Sequence, residues 1–112
     1  MQPEDRVRLC HMLDASKKAV EFCAGKTEID LVKDEKLTLA VVRLVEIIGE
    51  AAKNVSADIR NIYPGIPWKE IAGTRDRLIH GYFEVDLDIL GKIILKDLPV
   101  LNRQLEAILT KK

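Results

Sequence analysis

Apolar residues recur with helical spacing through the middle of the chain, from residue 35 to residue 54. They occupy positions i, i+3, i+4 and i+7, which is the pattern of one buried helix face. Asp34 precedes them as an N-cap, because its side chain can accept hydrogen bonds from the free N–H groups of the first turn. We therefore predict a helix from Glu35 to about Asn54, with an apolar face made of Leu37, Ala40, Val41, Leu44, Val45, Ile48, Ala51 and Ala52.

Similar stripes predict helices at both ends of the chain. The first helix runs from about Glu4 to Ala24 and ends at Gly25, a residue that readily adopts the conformation found just after helices. Near the C-terminus, Asp86 caps a helix from Leu87 to about Asp97. Pro99 then either starts a final helix or kinks a continuing one, because proline has no N–H to donate.

Two shorter helices are predicted on either side of the central helix. Thr27 with Asp30 resembles a weak capping box, in which each side chain satisfies a backbone N–H of the other residue. It starts a turn or short helix over residues 27–32. Ser56 caps the second short helix, which reaches about Ile62.

A connector with two prolines at 63–67 separates these helices from the next one, because proline interrupts a continuous helix. The next helix is predicted to run from Trp68 to His80 and to stop at Gly81. No segment alternates apolar and polar residues as a half-buried strand does. The chain is thus predicted to be one all-α domain over residues 1–112, a bundle of about five helices.

The composition of the 112-residue chain is that of a folded protein, with 47% hydrophobic and 32% charged residues. Its 18 basic and 18 acidic side chains cancel, which argues against a general nucleic-acid coating protein. The segment 53–80 nevertheless carries five basic against three acidic residues, a local excess of two. A chain of this length buries a modest core, so oligomerisation is a route to additional burial.

Cys10 and Cys23 lie thirteen residues apart in the first predicted helix. About 20 Å separates them on a straight helix, so they cannot form a disulfide. We expect both thiols to be buried and reduced, as in cytoplasmic proteins. The sequence has no apolar run of membrane-spanning length, no signal peptide and no further ligands at zinc spacing beside His11. We therefore expect a cytoplasmic protein without a membrane or metal partner.

The segment Arg75–Tyr82 combines an arginine, a histidine and a tyrosine within eight residues. Arginine binds phosphate through two parallel hydrogen bonds, and histidine exchanges protons near neutral pH. Arg75 would bind a scissile phosphate and stabilise the charge that grows on it. His80 would take the proton of a ribose 2′-hydroxyl or give one to the leaving 5′-oxygen. These groups predict metal-independent cleavage of RNA that leaves a cyclic phosphate and a 5′-hydroxyl.

The other polar residues of this segment would bind or orient the substrate. Asp76 lies one turn before His80 on the predicted helix and could hydrogen-bond its imidazole. The negative end of that helix would also favour the protonated ring. Arg77 adds a second cation, and Tyr82 could hydrogen-bond the phosphate or stack on a base.

Arg75 and His80 are five residues apart, which is about 140° around a helix. Their side chains would therefore point in different directions. Two such helices meeting across a two-fold axis would bring an arginine and a histidine from each chain into one shared cleft. On this ground we predict a homodimer.

A plainer interpretation of the same residues stays open. An Arg-Asp-Arg run is commonly a solvated helix face with local ion pairs, and a histidine near a helix end is commonly a favourable cation. The nearby aromatic residues Trp68 and Phe83 are expected mainly to pack in the core or an interface.

The motif resembles that of the HEPN superfamily of small helical ribonucleases through its R-polar-x3-H core. The fuller R-x4-H-x-Y pattern, with Phe83 and Asp86 behind it, resembles the HepT-like toxin branch. Further anchors of that branch are Gly49-Glu50-Ala51, Tyr63-Pro64 and Pro67-Trp68, which keep their order over roughly residues 35–90. The position after Arg75 is commonly Asn in this branch and is Asp76 here, which adds a negative charge beside the phosphate site.

The resemblance implies a ribonuclease toxin of a two-gene toxin–antitoxin module. Its partner would be a minimal nucleotidyltransferase (MNT-type) antitoxin, which silences the toxin by transferring AMP to the motif tyrosine, here Tyr82. ATP and magnesium would belong to that antitoxin, so no cofactor is expected for this chain.

Glu50 would either form an internal ion pair with Arg75 or Arg77 or belong to the site. The alternatives are a non-catalytic HEPN helper that binds a nucleotidyltransferase or RNA, and, more distantly, a structural helical dimer.

Overall fold

Long helices form the body of the molecule, and short elements between them carry the Arg75–Tyr82 motif. The structure, a computed structural model, describes residues 1–81 and 84–111. Its elements in chain order are α1 (Pro3–Phe22), α2 (Glu28–Lys33), α3 (Glu35–Lys53), α4 (Ala57–Ile62), α5 (Trp68–Ala72), α6 (Thr74–Leu78), β1 (Ile79–His80), β2 (Glu84–Val85), α7 (Leu87–Lys92), a π-helical turn (Ile93–Asp97) and α8 (Leu98–Leu109). The predicted all-α class is confirmed, with two short strands added.

The core lies where α1 packs along α3 and where α8 closes against α1. On α3, the predicted apolar face is buried at Val41, Val45, Ile48 and Ala52. Ala40 was also expected there and is instead exposed, since it lies at the edge of that face. Removal of these aliphatic side chains from water is the main force that holds the helices together. Other elements contribute the fully buried side chains of Leu9, Met12, Leu78, Leu90, Ile94 and Leu105.

The predicted N-caps Thr27, Asp34, Ser56 and Asp86 are confirmed. Each side chain accepts the backbone N–H three residues later, at distances of 3.1–3.4 Å. Thr27 makes a full capping box with Asp30. Since caps act within four residues, the starts of these helices could be predicted from local sequence.

The predicted continuous helix from Trp68 to His80 is wrong. Gly73 interrupts it with φ −91° and ψ 5°, and the helix that follows ends at Leu78. Glycine costs about 1 kcal/mol relative to alanine inside a helix, so the chain breaks most easily at this position. The motif arginines therefore lie on the short helix α6, and His80 lies beyond its end.

His80 belongs to a two-stranded antiparallel ladder. Ile79 is paired with Val85, and His80 is paired with Glu84. The β-branched Ile79 and Val85 favour the extended backbone of such a pair. Gly81 has φ +71°, a conformation that is accessible to glycine at low cost, and the chain turns there.

Pro99 does not start a separate helix, because α7 continues through the π-helical turn directly into α8. Within that turn the N–H of Leu98 bonds to the carbonyl of Ile93, five residues back. Proline cannot donate a hydrogen bond, and its ring crowds the carbonyl four residues earlier. The wider π turn accommodates this crowding, so of the two alternatives for Pro99 the structure has the continuing helix.

The two cysteines differ in exposure. Cys23 is buried, and burial raises the pKa of its thiol above the ordinary value. Cys10 is exposed, so the prediction of two buried thiols is right only for Cys23. Both are free thiols. No helix within the described ranges is both long enough and apolar enough to cross a membrane.

Candidate functional site

Arg75 lies on α6 with its side chain 56% exposed, and a carboxylate of the core helix α3 holds it in place. Its Nε donates a hydrogen bond of 3.1 Å to Oε2 of Glu46, whose side chain is 24% exposed. Within the described ranges Arg75 makes no other side-chain hydrogen bond. Because the bond uses Nε, the two terminal nitrogens remain available for a bidentate contact with phosphate.

The partner of Arg75 is therefore Glu46. Glu50, the partner considered from the sequence, is not bonded to Arg75. Glu50 lies one turn later on α3 and forms an exposed pair with Lys53 at 3.3 Å. Between the two glutamates, Gly49 lies beside α5, and a Cβ at this position would be 3.1 Å from the carbonyl oxygen of Ile71. The absent side chain lets the α5–α6 segment approach α3 closely, which brings Arg75 to Glu46.

Arg77 points away from Arg75, because residues two apart on a helix differ by about 200° in direction. Its Nη2 donates to the carbonyl of Glu70 at 3.3 Å and to Oγ1 of Thr74 at 3.4 Å. The buried Thr74 hydroxyl also donates to the Glu70 carbonyl, at 3.0 Å. These contacts give Arg77 a part in holding the junction of α5 and α6, which the sequence did not indicate.

His80 is 58% exposed, and its closest acidic neighbour is Asp86. Its Nε2 lies 3.8 Å from Oδ2 of Asp86, which is within ion-pair range and beyond hydrogen-bond range. Asp86 is itself held firmly. Its Oδ1 accepts the N–H of Ile89 at 3.1 Å, and its own N–H donates to the Leu78 carbonyl at 2.8 Å. Asp86 can therefore steady a protonated imidazole.

The expected hydrogen bond from Asp76 to His80 is absent, because the helix ends between these two residues. Asp76 is exposed and makes no side-chain hydrogen bond or ion pair with the rest of the described chain. The predictions for Tyr82 and Phe83 concern residues outside the described ranges. Packing by Trp68 is confirmed, since it is 6% exposed and its indole N–H donates to the Tyr63 carbonyl at 3.0 Å.

A cavity of about 350 Å³ lies between α3, α5 and the start of α8. Its walls are largely aliphatic, and its charged members include Arg77, Lys92 and Glu70. Arg75 and His80 do not line it, so they lie outside this cavity, on the open surface of a single chain. Among the described side chains, no group of three or more His, Cys, Asp or Glu residues is arranged to hold a metal ion.

Comparison with known proteins adds to this geometry. The family model described as "Ribonuclease HepT-like" matches residues 12–108. The chain is 46% identical over 106 residues to "Putative RNase TTE0752" of Caldanaerobacter subterraneus subsp. tengcongensis, an alignment that covers 95% of each protein. It is 47% identical over 77 residues to "Probable ribonuclease HepT" of Thermococcus cleftensis, covering 69% of this chain and 70% of that protein. No solved structure matched significantly. The chain thus belongs to the HepT-like ribonuclease family.

Proposed function

We propose that this chain is a metal-independent endoribonuclease that acts as a toxin in the cytoplasm. The observation that carries the proposal is that Arg75 and His80 each keep an exposed side chain beside a carboxylate fixed on another element. Glu46 orients the guanidinium from α3, and Asp86 faces the imidazole from the start of α7. Membership of a ribonuclease family supports RNA as the substrate.

The chemistry follows from these two groups. His80 removes the proton of a ribose 2′-hydroxyl, whose oxygen attacks the adjacent phosphorus while the bond to the 5′-oxygen breaks. Arg75 binds the non-bridging oxygens and stabilises their charge in the transition state. The departing 5′-oxygen takes a proton from a protonated histidine of a second copy. The products are a 2′,3′-cyclic phosphate and a 5′-hydroxyl, and DNA is not cut because it lacks the 2′-hydroxyl.

We propose a homodimer as the active form. Arg75 and His80 do not share a helix, because His80 lies on β1, so their directions around one helix axis do not call for a dimer. The dimer is supported by the exposure of the Arg75 and His80 side chains on the surface of a single chain. Two copies facing each other would enclose the phosphodiester, exclude water and strengthen each electrostatic contact with it.

We also propose that an MNT-type nucleotidyltransferase antitoxin neutralises this chain. It would transfer AMP from ATP to the hydroxyl of Tyr82 and release pyrophosphate, with ATP and magnesium bound by the antitoxin. Tyr82 follows His80 by two residues. A bulky phosphate-bearing group there would block access to His80 and compete with RNA for Arg75.

Cleavage of RNA in EDTA by unmodified protein tests this function. We expect cyclic-phosphate products from the wild type and from Arg103→Ala, a control that removes an exposed arginine of α8. Arg75→Ala and His80→Ala are expected to lose at least about a hundredfold in rate. Incubation with the antitoxin, ATP and magnesium should stop the wild type and spare Tyr82→Phe, which lacks the acceptor hydroxyl.

Absence of cleavage of total RNA by folded, unmodified protein would overturn the proposal and favour a non-catalytic helper. Cleavage that persists unchanged in His80→Ala would remove His80 from the mechanism. Far-ultraviolet circular dichroism of each variant shows whether the helices are intact, so that loss of activity is not mistaken for unfolding.

A further inference from the structure

The solvent-facing side of α3 carries a charge pattern that is complementary to itself. Arg43 and Glu50 are exposed and lie two turns apart on this side, opposite the buried face. They are about 10 Å apart along the helix axis, which is too far for them to pair within one chain. If an antiparallel copy of α3 packs on this side, with the two-fold axis between residues 46 and 47, Arg43 of each copy lies opposite Glu50 of the other copy.

We propose that this side of α3 is the surface through which two copies of the chain associate about a two-fold axis. This interface rests on the proposed homodimer and names the surface that forms it. A two-fold interface uses the same patch on both copies. Arg43 of each copy then faces Glu50 of the other. The two Ile47 side chains lie close together at the axis.

Both charged groups are available for this contact. Arg43 makes no side-chain hydrogen bond or ion pair with any described residue. Glu50 is paired with Lys53 at 3.3 Å, but these two side chains are 63% and 53% exposed. Exposed pairs of this kind contribute little to stability, so Glu50 can exchange its partner at small cost.

An apolar contact adjoins the charged one. A groove of about 350 Å³ lies between α1 and α3, with Val7, Ile47 and Ala51 among its apolar lining and Asn54 at one end. Leu39 is 58% exposed on the same side of α3. Leu39 and Asn54 are equally far from the axis, so Leu39 of each copy lies level with Asn54 of the other. Association along this face would remove part of Leu39 and of the half-exposed Val7 from water.

The same axis passes beside the carboxylate that holds Arg75. Glu46 lies next to Ile47 at the centre of this face and bonds to Arg75. The dimer therefore places one Arg75–Glu46 pair on each side of the axis. Each Glu46 is accompanied by its own guanidinium, so the two carboxylates can approach the axis without an unpaired negative charge.

Sedimentation velocity at micromolar concentration tests the interface by charge exchange. We expect a dimer from the wild type and about a tenfold or greater rise in the dimer Kd for Arg43→Glu and for Glu50→Arg, because each places like charges opposite each other. The double variant R43E/E50R should restore the dimer. Arg103→Glu, a charge reversal on α8, is the matched control and should not change the Kd.

A monomeric wild type, an unaffected single reversal or a double variant that stays monomeric while folded would each overturn this interface. Cross-linking provides an independent measurement in a Cys10→Ser background. Ile47→Cys should form a disulfide-linked dimer under mild oxidation. Leu39→Cys should not, because the two copies of residue 39 are about 22 Å apart along the axis.

These outcomes separate the interface from the proposed catalysis. A dimer through this face that cuts no RNA would leave the interface standing and remove the nuclease function. A monomer that cuts RNA at the wild-type rate would remove the interface and the second copy's histidine from the mechanism, and leave Arg75 and His80 of one chain as the catalytic groups.

Discussion

Two carboxylates outside the Arg-to-Tyr motif determine how its arginine and histidine are presented. Glu46 contacts Arg75 from α3, and Asp86 faces His80 from the cap of α7. From the sequence, Glu50 was considered as the partner of Arg75, and Asp76 was expected to be the partner of His80. Glu46 and Glu50 lie four residues apart on one side of α3, so sequence alone cannot choose between them. Asp76 was excluded only because the helix ends before His80.

Substitution of Glu46 tests its part in positioning Arg75. We expect Glu46→Ala to lower the rate of RNA cleavage by about 10- to 100-fold, because the guanidinium loses its fixed orientation. Glu46→Gln keeps an oxygen acceptor and should lose less. The free energy of unfolding should fall by no more than about 1 kcal/mol in either variant, because the Arg75 side of the pair is 56% exposed and water can replace the lost contact.

Glu106→Ala is the matched control, since it removes an exposed glutamate paired with Lys17 at 3.2 Å. Steady-state cleavage assays and urea unfolding of the same samples separate positioning from stability. Wild-type cleavage by Glu46→Ala would show that Arg75 needs no support from α3.

At the scale of elements, the close contact of α5 with α3 places the motif. Gly49 permits it, since a Cβ there would meet the Ile71 carbonyl at 3.1 Å. Helix α6 follows α5 after one residue, so its position depends on this contact. The ladder of β1 with β2 then turns the chain at Gly81 and carries His80 away from the helix axis.

Gly49→Ala should destabilise the protein by roughly 1–2 kcal/mol, although alanine is the better helix former. The added methyl group would push the backbone of α5, and we expect RNA cleavage to fall with stability. Gly91→Ala is the control. Its new Cβ would meet the side chain of Glu28 at 2.8 Å, and that flexible group can rotate away.

Thermal unfolding of both glycine variants provides the measurement. An unchanged melting temperature for Gly49→Ala would mean that α5 can retreat at no cost, and the proposed dependence of α6 on this contact would then be wrong. An equal loss of stability for Gly91→Ala would show that contact with the rigid backbone at position 49 costs no more than contact with the flexible side chain at position 91.

At the scale of the whole molecule, Asp5 ties the first helix to the middle of the chain. It is buried, and its two oxygens accept the hydroxyl and the backbone N–H of Ser56 at 2.7 and 2.8 Å. The side-chain and then the backbone hydrogen bond from Ser56 lower the pKa of the Asp5 carboxyl below its ordinary value. Ser56 in turn caps α4, so one carboxylate links two helices that are distant in sequence.

The lowered pKa predicts how stability depends on pH. The ionised carboxylate contributes fully above the ordinary titration range of aspartate, and this contribution is lost as pH falls through the lowered pKa. Asp5→Ala should therefore reduce the free energy of unfolding at pH 7 by about 1–3 kcal/mol, because Ser56 loses its acceptors. The difference between variant and wild type should shrink in acid.

Urea unfolding at pH 7 and at about pH 3 measures this difference. Asp58→Ala, which removes an exposed aspartate of α4, is the control and should have little effect at either pH. A difference that stays constant between the two pH values would contradict the assigned role of the Asp5 charge.

Much of the fold could be predicted, because its signals are local. The buried stripe of α3, the four N-caps and the proline connector each depend on residues within one or two turns. The helix break at Gly73 and the strand at His80 were missed, since short stretches have weak preferences that neighbouring elements override. The site was predicted as residue types at a spacing, without the carboxylates that support them.

The all-α class, most helix boundaries and membership of a ribonuclease family could be predicted from the amino-acid sequence. Hydrophobic periodicity and helix capping depend on residues that are close together in the sequence, so both can be recognised without the structure. Only the tertiary structure showed that Glu46 holds Arg75 and that Asp86 faces His80. These contacts join residues that are up to 29 positions apart, and their geometry depends on how closely the helices can approach.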